Sequence, residues 1–248
     1  MKRLLPIIAI FAAGITSAAA QTAAQLAERL IPMPRRVEVV SERLVAPSER
    51  QLRVSMDAPD DWTDEQYSLS VRERRIRICA KTQQGVIWAC RTLAQLRDAQ
   101  GRLPQVDIED WPEFPLRGFM WDDGRNFVGV AMVKHYIDLM SAYKLNIFNW
   151  HLTDHPAWRI ESHACPQLND PQYQRAGRDT GRFYTYDQIR DVIAYARERG
   201  ITVVPEIDMP GHSTYFRTAF GCSMESPEGR AILERCIDEF CTEIPADI

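Results

Sequence analysis

The chain of 248 residues, 45% hydrophobic and 26% charged, is long enough to bury a sizeable core and carries no bias toward disorder or repeats. Its formal charge of −4 disfavours nucleic acid or an anionic membrane as a partner and leaves uncharged ligands such as sugars open.

Lys2 and Arg3 lead into an apolar run from Leu4 to Ile15, and Ala18, Ala19 and Ala20 offer the small residues of a signal-peptidase site. Residues 1–20 are therefore expected to be a signal peptide, and the mature protein to be periplasmic or extracellular and off the membrane. Six cysteines, Cys79, Cys90, Cys165, Cys222, Cys236 and Cys241, follow it without any zinc-binding spacing. Cys165 and Cys222 both fall in loops expected to follow strands, so a bridge between them is one option among many. Cys79 and Cys90 read as buried thiols.

Residues 21–112 read as a small α/β accessory domain. Strand-like pieces lie near Val37–Val40, Tyr67–Val71 and Arg75–Ala80. In the basic run Arg72–Arg77, alternation with Ile76 and Ile78 marks a solvated sheet face. Val86, Ala89, Cys90, Leu93 and Leu96 keep helical spacing, which lays one helix across the sheet. Trp111-Pro112-Glu113-Phe114-Pro115 then interrupts regular structure twice and marks the domain boundary.

From 113 to 248 a rhythm of strand, loop and helix repeats three times, as parallel β/α units do. The strands are expected at Gly118–Trp121, Ile147–Leu152 and Ile201–Ile207, with Ile248 opening a fourth. The first helix carries Val133, Tyr136, Ile137 and Met140 on one face, with Lys144 near its end, where the helix dipole favours a cation. The second opens on a Thr185/Gln188 capping box, buries Ile189, Val192, Ile193 and Ala196, and stops at Gly200. The third starts at Ser226-Pro227 and turns Leu233, Cys236, Ile237 and Phe240 inward. The expected fold is an incomplete (β/α)8 barrel behind the accessory domain. Because a barrel closes with about eight strands, the chain reads as part of a longer protein.

In such a barrel the chemistry gathers where strands end. Arg117 and Asp122 flank the first strand, and Arg125 follows. An arginine fork beside a carboxylate suits paired sugar hydroxyls, while Asp122 and Arg125 equally make a structural bridge. After the second strand come His151 and Asp154, with Trp158 placed either to stack on a sugar or to pack over the rim. Glu206 and Asp208, two apart on the third strand, face the same way. Pro210-Gly211 turns His212 back toward Asp154, a partner that fixes its tautomer.

In order, G-V-I-W-A-C-R-T-L-A-Q-L, R-G-F-M-W-D-D-G-R, K-L-N-I-F-N-W-H-L-T-D and P-E-I-D-M-P-G-H-S resemble the family-20 glycoside hydrolases, the β-N-acetylhexosaminidases, over nearly all of the chain past residue 20. The resemblance implies a secreted exo-enzyme without cofactor or metal that removes terminal β-linked N-acetylglucosamine or N-acetylgalactosamine. It also implies that the substrate's acetamido oxygen takes the place of an enzyme nucleophile. Arg117 would bind sugar hydroxyls, and Asp154 and His212 would relay to the general acid, with Asp122, His151, Glu206 and Asp208 in support. The acidic Asp-Glu pair would follow Ile248. Asp238-Glu239 does not replace it, because it lies inside the third helix and reads as a solvated face. His155-Pro156-Ala157 and Asn126 depart from the family's usual residues, which affects the outer rim of the site.

Two other readings compete. An amino-sugar-binding protein would hold the ligand without cleaving it. A metal-dependent barrel hydrolase would use His151, Asp154, His155, Asp208 and His212 as ligands and purify with stoichiometric zinc.

Overall fold

The computed structural model describes residues 22–46, 48, 51–177 and 179–244. The expected signal segment and the strand expected at Ile248 lie outside them. The chain packs as two compact units, divided after Pro115, with Ser141–Lys144 counted in the first.

The first unit opens with the short helix α1 (Ala23–Glu28), capped reciprocally by Thr22 and Gln25. Its sheet comprises β1 (Arg36–Val45), β2 (Leu52–Ser55), β3 (Tyr67–Arg72), β4 (Arg75–Ala80) and β5 (Leu103–Asp110) in the order β1-β5-β3-β4-β2. Every pairing is antiparallel except β2 with β4. Strict alternation buries Tyr67, Leu69 and Val71 on β3, with Ile76 and Ile78 on β4, and leaves Arg75 and Arg77 in water, as the basic run implies. Cys79 is only half-buried, on the polar side of that alternation.

Helix α2 (Gln83–Gln95) is buried on more than the one expected stripe. Val86, Ala89 and Leu93 join the sheet core, while Arg91 is also covered and donates through Nε to Ser141 Oγ at 2.8 Å. Lys144 departs from its expected place as well. It sits past its helix at φ 58°, and its ammonium meets Asp110 at 2.7 Å and the Tyr67 hydroxyl at 2.8 Å, so a buried carboxylate rather than the helix dipole holds the cation.

The second unit is a three-stranded parallel sheet, β6 (Gly118–Asp122), β7 (Ile147–His151) and β10 (Thr202–Glu206), with β7 central. Helices α3 (Val130–Ala142), α4 (Tyr186–Arg197) and α6 (Pro227–Glu243) follow the three strands in turn. The β8–β9 hairpin (Thr153–Asp154 with Ala157–Trp158) and the short α5 (Thr214–Phe220) sit in the intervening loops. Thr185 and Gln188 form the capping box, Gly200 takes φ 77° after α4, and the Ser226 side chain caps α6 ahead of Pro227. The core joins Val133, Ile137 and Met140 of α3, Phe148 and Trp150 of β7, Ile189 and Val192 of α4, and Leu233 and Cys236 of α6.

One open reading is decided here and one expectation changes. Trp158 is 1% exposed and packs near Tyr215, so it is a core residue and not an open platform for a sugar. Glu239 is not solvated. Its carboxylate accepts from Ser162 Oγ at 2.9 Å and from the backbone N–H groups of His163 and Ala164, pinning that loop to α6. Among the described residues all six cysteines are free, and Cys165 and Cys236 meet in the core.

Candidate active site

Strand register builds the site. Asp122 on β6 pairs with His151 on β7, and His151 with Glu206 on β10, so three polar residues stand in a row at the C-terminal edge of the sheet. The chain then turns so that Asp123 and Gly124 donate their N–H groups to the His151 carbonyl at 3.0 and 3.1 Å. A Cβ on Gly124 would lie 2.8 Å from Asp154 Cβ and 2.9 Å from its backbone nitrogen, so only glycine allows the two segments this approach. Gly124→Ala is expected to cost about 1–3 kcal/mol through forced backbone shifts. Urea denaturation measures it, and a variant as stable as the parent would show that the approach is looser.

Asp154 is the hub of the site and is wholly buried. Its Oδ2 meets His151 Nε2 at 3.0 Å and Arg125 Nη2 at 2.8 Å, while Oδ1 accepts from the His155 backbone N–H at 2.6 Å and faces His212 Nδ1 at 3.5 Å. Burial opposes its ionisation, but the His151 and His155 hydrogen bonds and the charges of Arg125 and His212 outweigh it and hold the carboxyl below its usual range. His151 is gripped from both sides, with Nδ1 2.9 Å from Glu206 Oε1. Burial disfavours the imidazolium, and the two carboxylate bonds more than offset this, so its pKa is raised. Glu206 also accepts from Asn149 Nδ2 at 2.5 Å, and its pKa is lowered despite burial by His151 and Asn149.

The structure brings together Asp122, His151, Asp154, Glu206 and His212. Asp208 lies just past β10, its N–H donating to Thr153 Oγ1 at 2.8 Å. Arg117 precedes β6, its carbonyl accepting from Asn146 and Ile147 and its N–H donating to Asn146 Oδ1 at 2.8 Å. Arg125 brings a cation to this cluster, its guanidinium spanning Asp122 at 2.5 Å and Asp154 at 2.8 Å and staying half in water. The bridge between Asp122 and Arg125 thus exists, but as part of the site. His155, singled out in the sequence as a possible metal ligand, meets Thr214 at 2.7 Å, a partner that no sequence pattern announces.

A buried carboxylate flanked by imidazoles and a guanidinium, at the C-terminal ends of parallel strands that alternate with helices, defines a β/α-barrel hydrolase site. Residues 114–241 match the family model described as Glycosyl hydrolase family 20, catalytic domain, and residues 8–111 match Glycosyl hydrolase family 20, domain 2. The chain belongs to glycosyl hydrolase family 20. Its fold is accordingly part of a (β/α)8 barrel preceded by the family's accessory domain.

Similar proteins include a beta-hexosaminidase of Vibrio furnissii, 45% identical over 59% of this chain and 26% of that protein. A beta-N-acetylhexosaminidase of Cellulomonas fimi is 38% identical over 80% of this chain and 40% of its own length. Among solved structures, the exo beta-N-acetylglucosaminidase from Vibrio harveyi in complex with N-acetylglucosamine superposes with a TM-score of 0.75 at 28% identity, over 94% of this chain and 47% of that one. The chain thus spans less than half the length of these relatives.

Proposed function

We propose that the protein hydrolyses terminal β-linked N-acetylhexosaminides and that this chain supplies the part of the site that holds the sugar and tunes its proton donor. The observation that carries the reading is Asp154, a buried anion with a half-exposed imidazole, His212, on one side and a half-exposed guanidinium, Arg125, on the other. A ligand at the strand ends meets the free edges of both side chains. Arg125 offers donors in a planar fork suited to adjacent hydroxyls. His212, oriented by Asp154, is placed to pass charge to an acidic group opposite it. The N-acetylglucosamine complex of the Vibrio harveyi relative supports the sugar assignment.

In this reading the acetamide of the substrate supplies the nucleophile and an acidic pair following Ile248 supplies the acid. Export to the periplasm or cell exterior is part of the same proposal, and N-terminal sequencing of the mature protein tests it. For the activity, the nitrophenyl glycoside of N-acetylglucosamine is the probe. The protein extended past Ile248 should release nitrophenol and the present chain should not. Turnover by the chain alone would overturn the placement of the acid, and a silent extended protein would overturn the activity.

A further inference from the structure

His155 introduces a third imidazole where Asp154 and His212 already meet. Its ring lies 4.9 Å from that of His212, edge to face, and its Nδ1 is tied to Thr214 Oγ1 at 2.7 Å. One ligand atom from each of Asp154, His155 and His212 lies within 4.8 Å of the others. We propose that these three residues form a binding site for a divalent transition metal, zinc by its ligand chemistry, in which the metal inhibits rather than catalyses.

Two imidazole nitrogens and one carboxylate oxygen, with a fourth position open to water, are a set that suits zinc and that magnesium or calcium does not prefer. Tetrahedral bonds of about 2.0 Å put ligand atoms about 3.3 Å apart, so the cluster must contract by about 1.5 Å at most. The two histidines are exposed and can make that movement, whereas Asp154 is fixed in the interior. Thr214 would hold the His155 ring with its other nitrogen free, and His151 and Arg125 hold the far oxygen of Asp154, which are the supporting contacts a metal ligand needs.

A second set of possible ligands, Asp122, His151 and Asp154, is a poorer host. Both His151 nitrogens already face carboxylates, and the Arg125 guanidinium occupies the space between Asp122 and Asp154. The inhibition claim rests on the proposed relay, because a metal on Asp154 and His212 would take both from their role.

The test is titration of zinc chloride, and of cobalt(II) as a spectroscopic probe, into the thiol-blocked protein. One equivalent of metal should bind, and the cobalt complex should show the intense visible bands of tetrahedral coordination. His155→Gln and His212→Gln should each weaken binding at least tenfold, and Thr214→Val by about tenfold, as loss of a supporting contact does. His135→Gln and His163→Gln should leave it unchanged. No stoichiometric binding, an octahedral cobalt spectrum, or retention of affinity in the His155 variant would overturn the site, as would its loss with His163. If His155→Gln is poorly folded by circular dichroism, the wild-type cobalt spectrum still decides. In the extended protein, zinc should inhibit the parent and spare His155→Gln at concentrations near the measured Kd. Tight binding without inhibition would retain the metal site and reject the relay.

Discussion

Asp154→Ala is expected to destabilise the second unit by about 3–5 kcal/mol, the usual cost of removing one partner from a buried charge pair. The loss falls mainly on His151, whose side chain is 8% exposed and would keep a hydrogen-bonded carboxylate only in Glu206, with the Asp122 charge nearby. Arg125 contributes little to the figure, because nearly half of its side chain is in water and its pairing is screened. Asp154→Asn retains an acceptor and should cost less, about 1.5–3 kcal/mol.

The pH dependence separates this from a simple packing defect. His151 has a raised folded pKa, so its contribution is complete below the unfolded value of about 6.5 and is lost as pH rises through the folded value. Asp154 and Glu206 have depressed values, so theirs is complete above about 4 and is lost as pH falls through the folded values. The cluster is therefore most stabilising between about pH 4 and 6.5. Asp154→Asn removes one of the two carboxylate bonds that raise His151, and the decline on the alkaline side should flatten. Urea midpoints followed by tryptophan fluorescence at pH 5.5 and 8 measure both effects. An alanine variant within about 1 kcal/mol of the parent at pH 5.5 would show that Asp154 is not the anchor.

The parallel strands, their helices and both caps were legible in the sequence because each rests on local chemistry: period-two alternation, a 3.6-residue stripe, Thr185 with Gln188, Ser226 with Pro227. Most of the site was legible for a related reason, since polar residues that end consecutive parallel strands must share an edge. Strand β2 was missed because Leu52–Ser55 is a short edge strand that buries little, and β5 because Asp107 and Glu109 fill its outward positions. The roles of Glu239, Lys144 and His155 depend on residues 34 to 77 positions away, and no local pattern announces such partners.

Trp150→Ala should be as damaging as the loss of Asp154, at about 3–5 kcal/mol, and for a different reason. The indole is wholly buried on the central strand, 5.9 Å from the Phe148 ring and 4.7 Å from that of Tyr184, with no solvent to refill the space. Its Nε1–H also donates to Asp123 Oδ2 at 2.6 Å, beside the Tyr184 hydroxyl at 2.9 Å and the Val128 N–H at 3.0 Å. Burial raises the Asp123 pKa and these donors restrain the rise. Trp150→Phe isolates the hydrogen bond and should cost about 1–3 kcal/mol at pH 7, where the carboxylate is left short of a donor. Its folded pKa then climbs further above the unfolded value, so the native state holds the proton over a wider range and loses stability as pH rises across it. The phenylalanine variant should therefore approach the parent near pH 4 and diverge from it toward pH 7, whereas the cavity left by alanine should cost nearly the same at both. Equal losses for phenylalanine at the two pH values would mean that Asp123 does not depend on the indole for its charge.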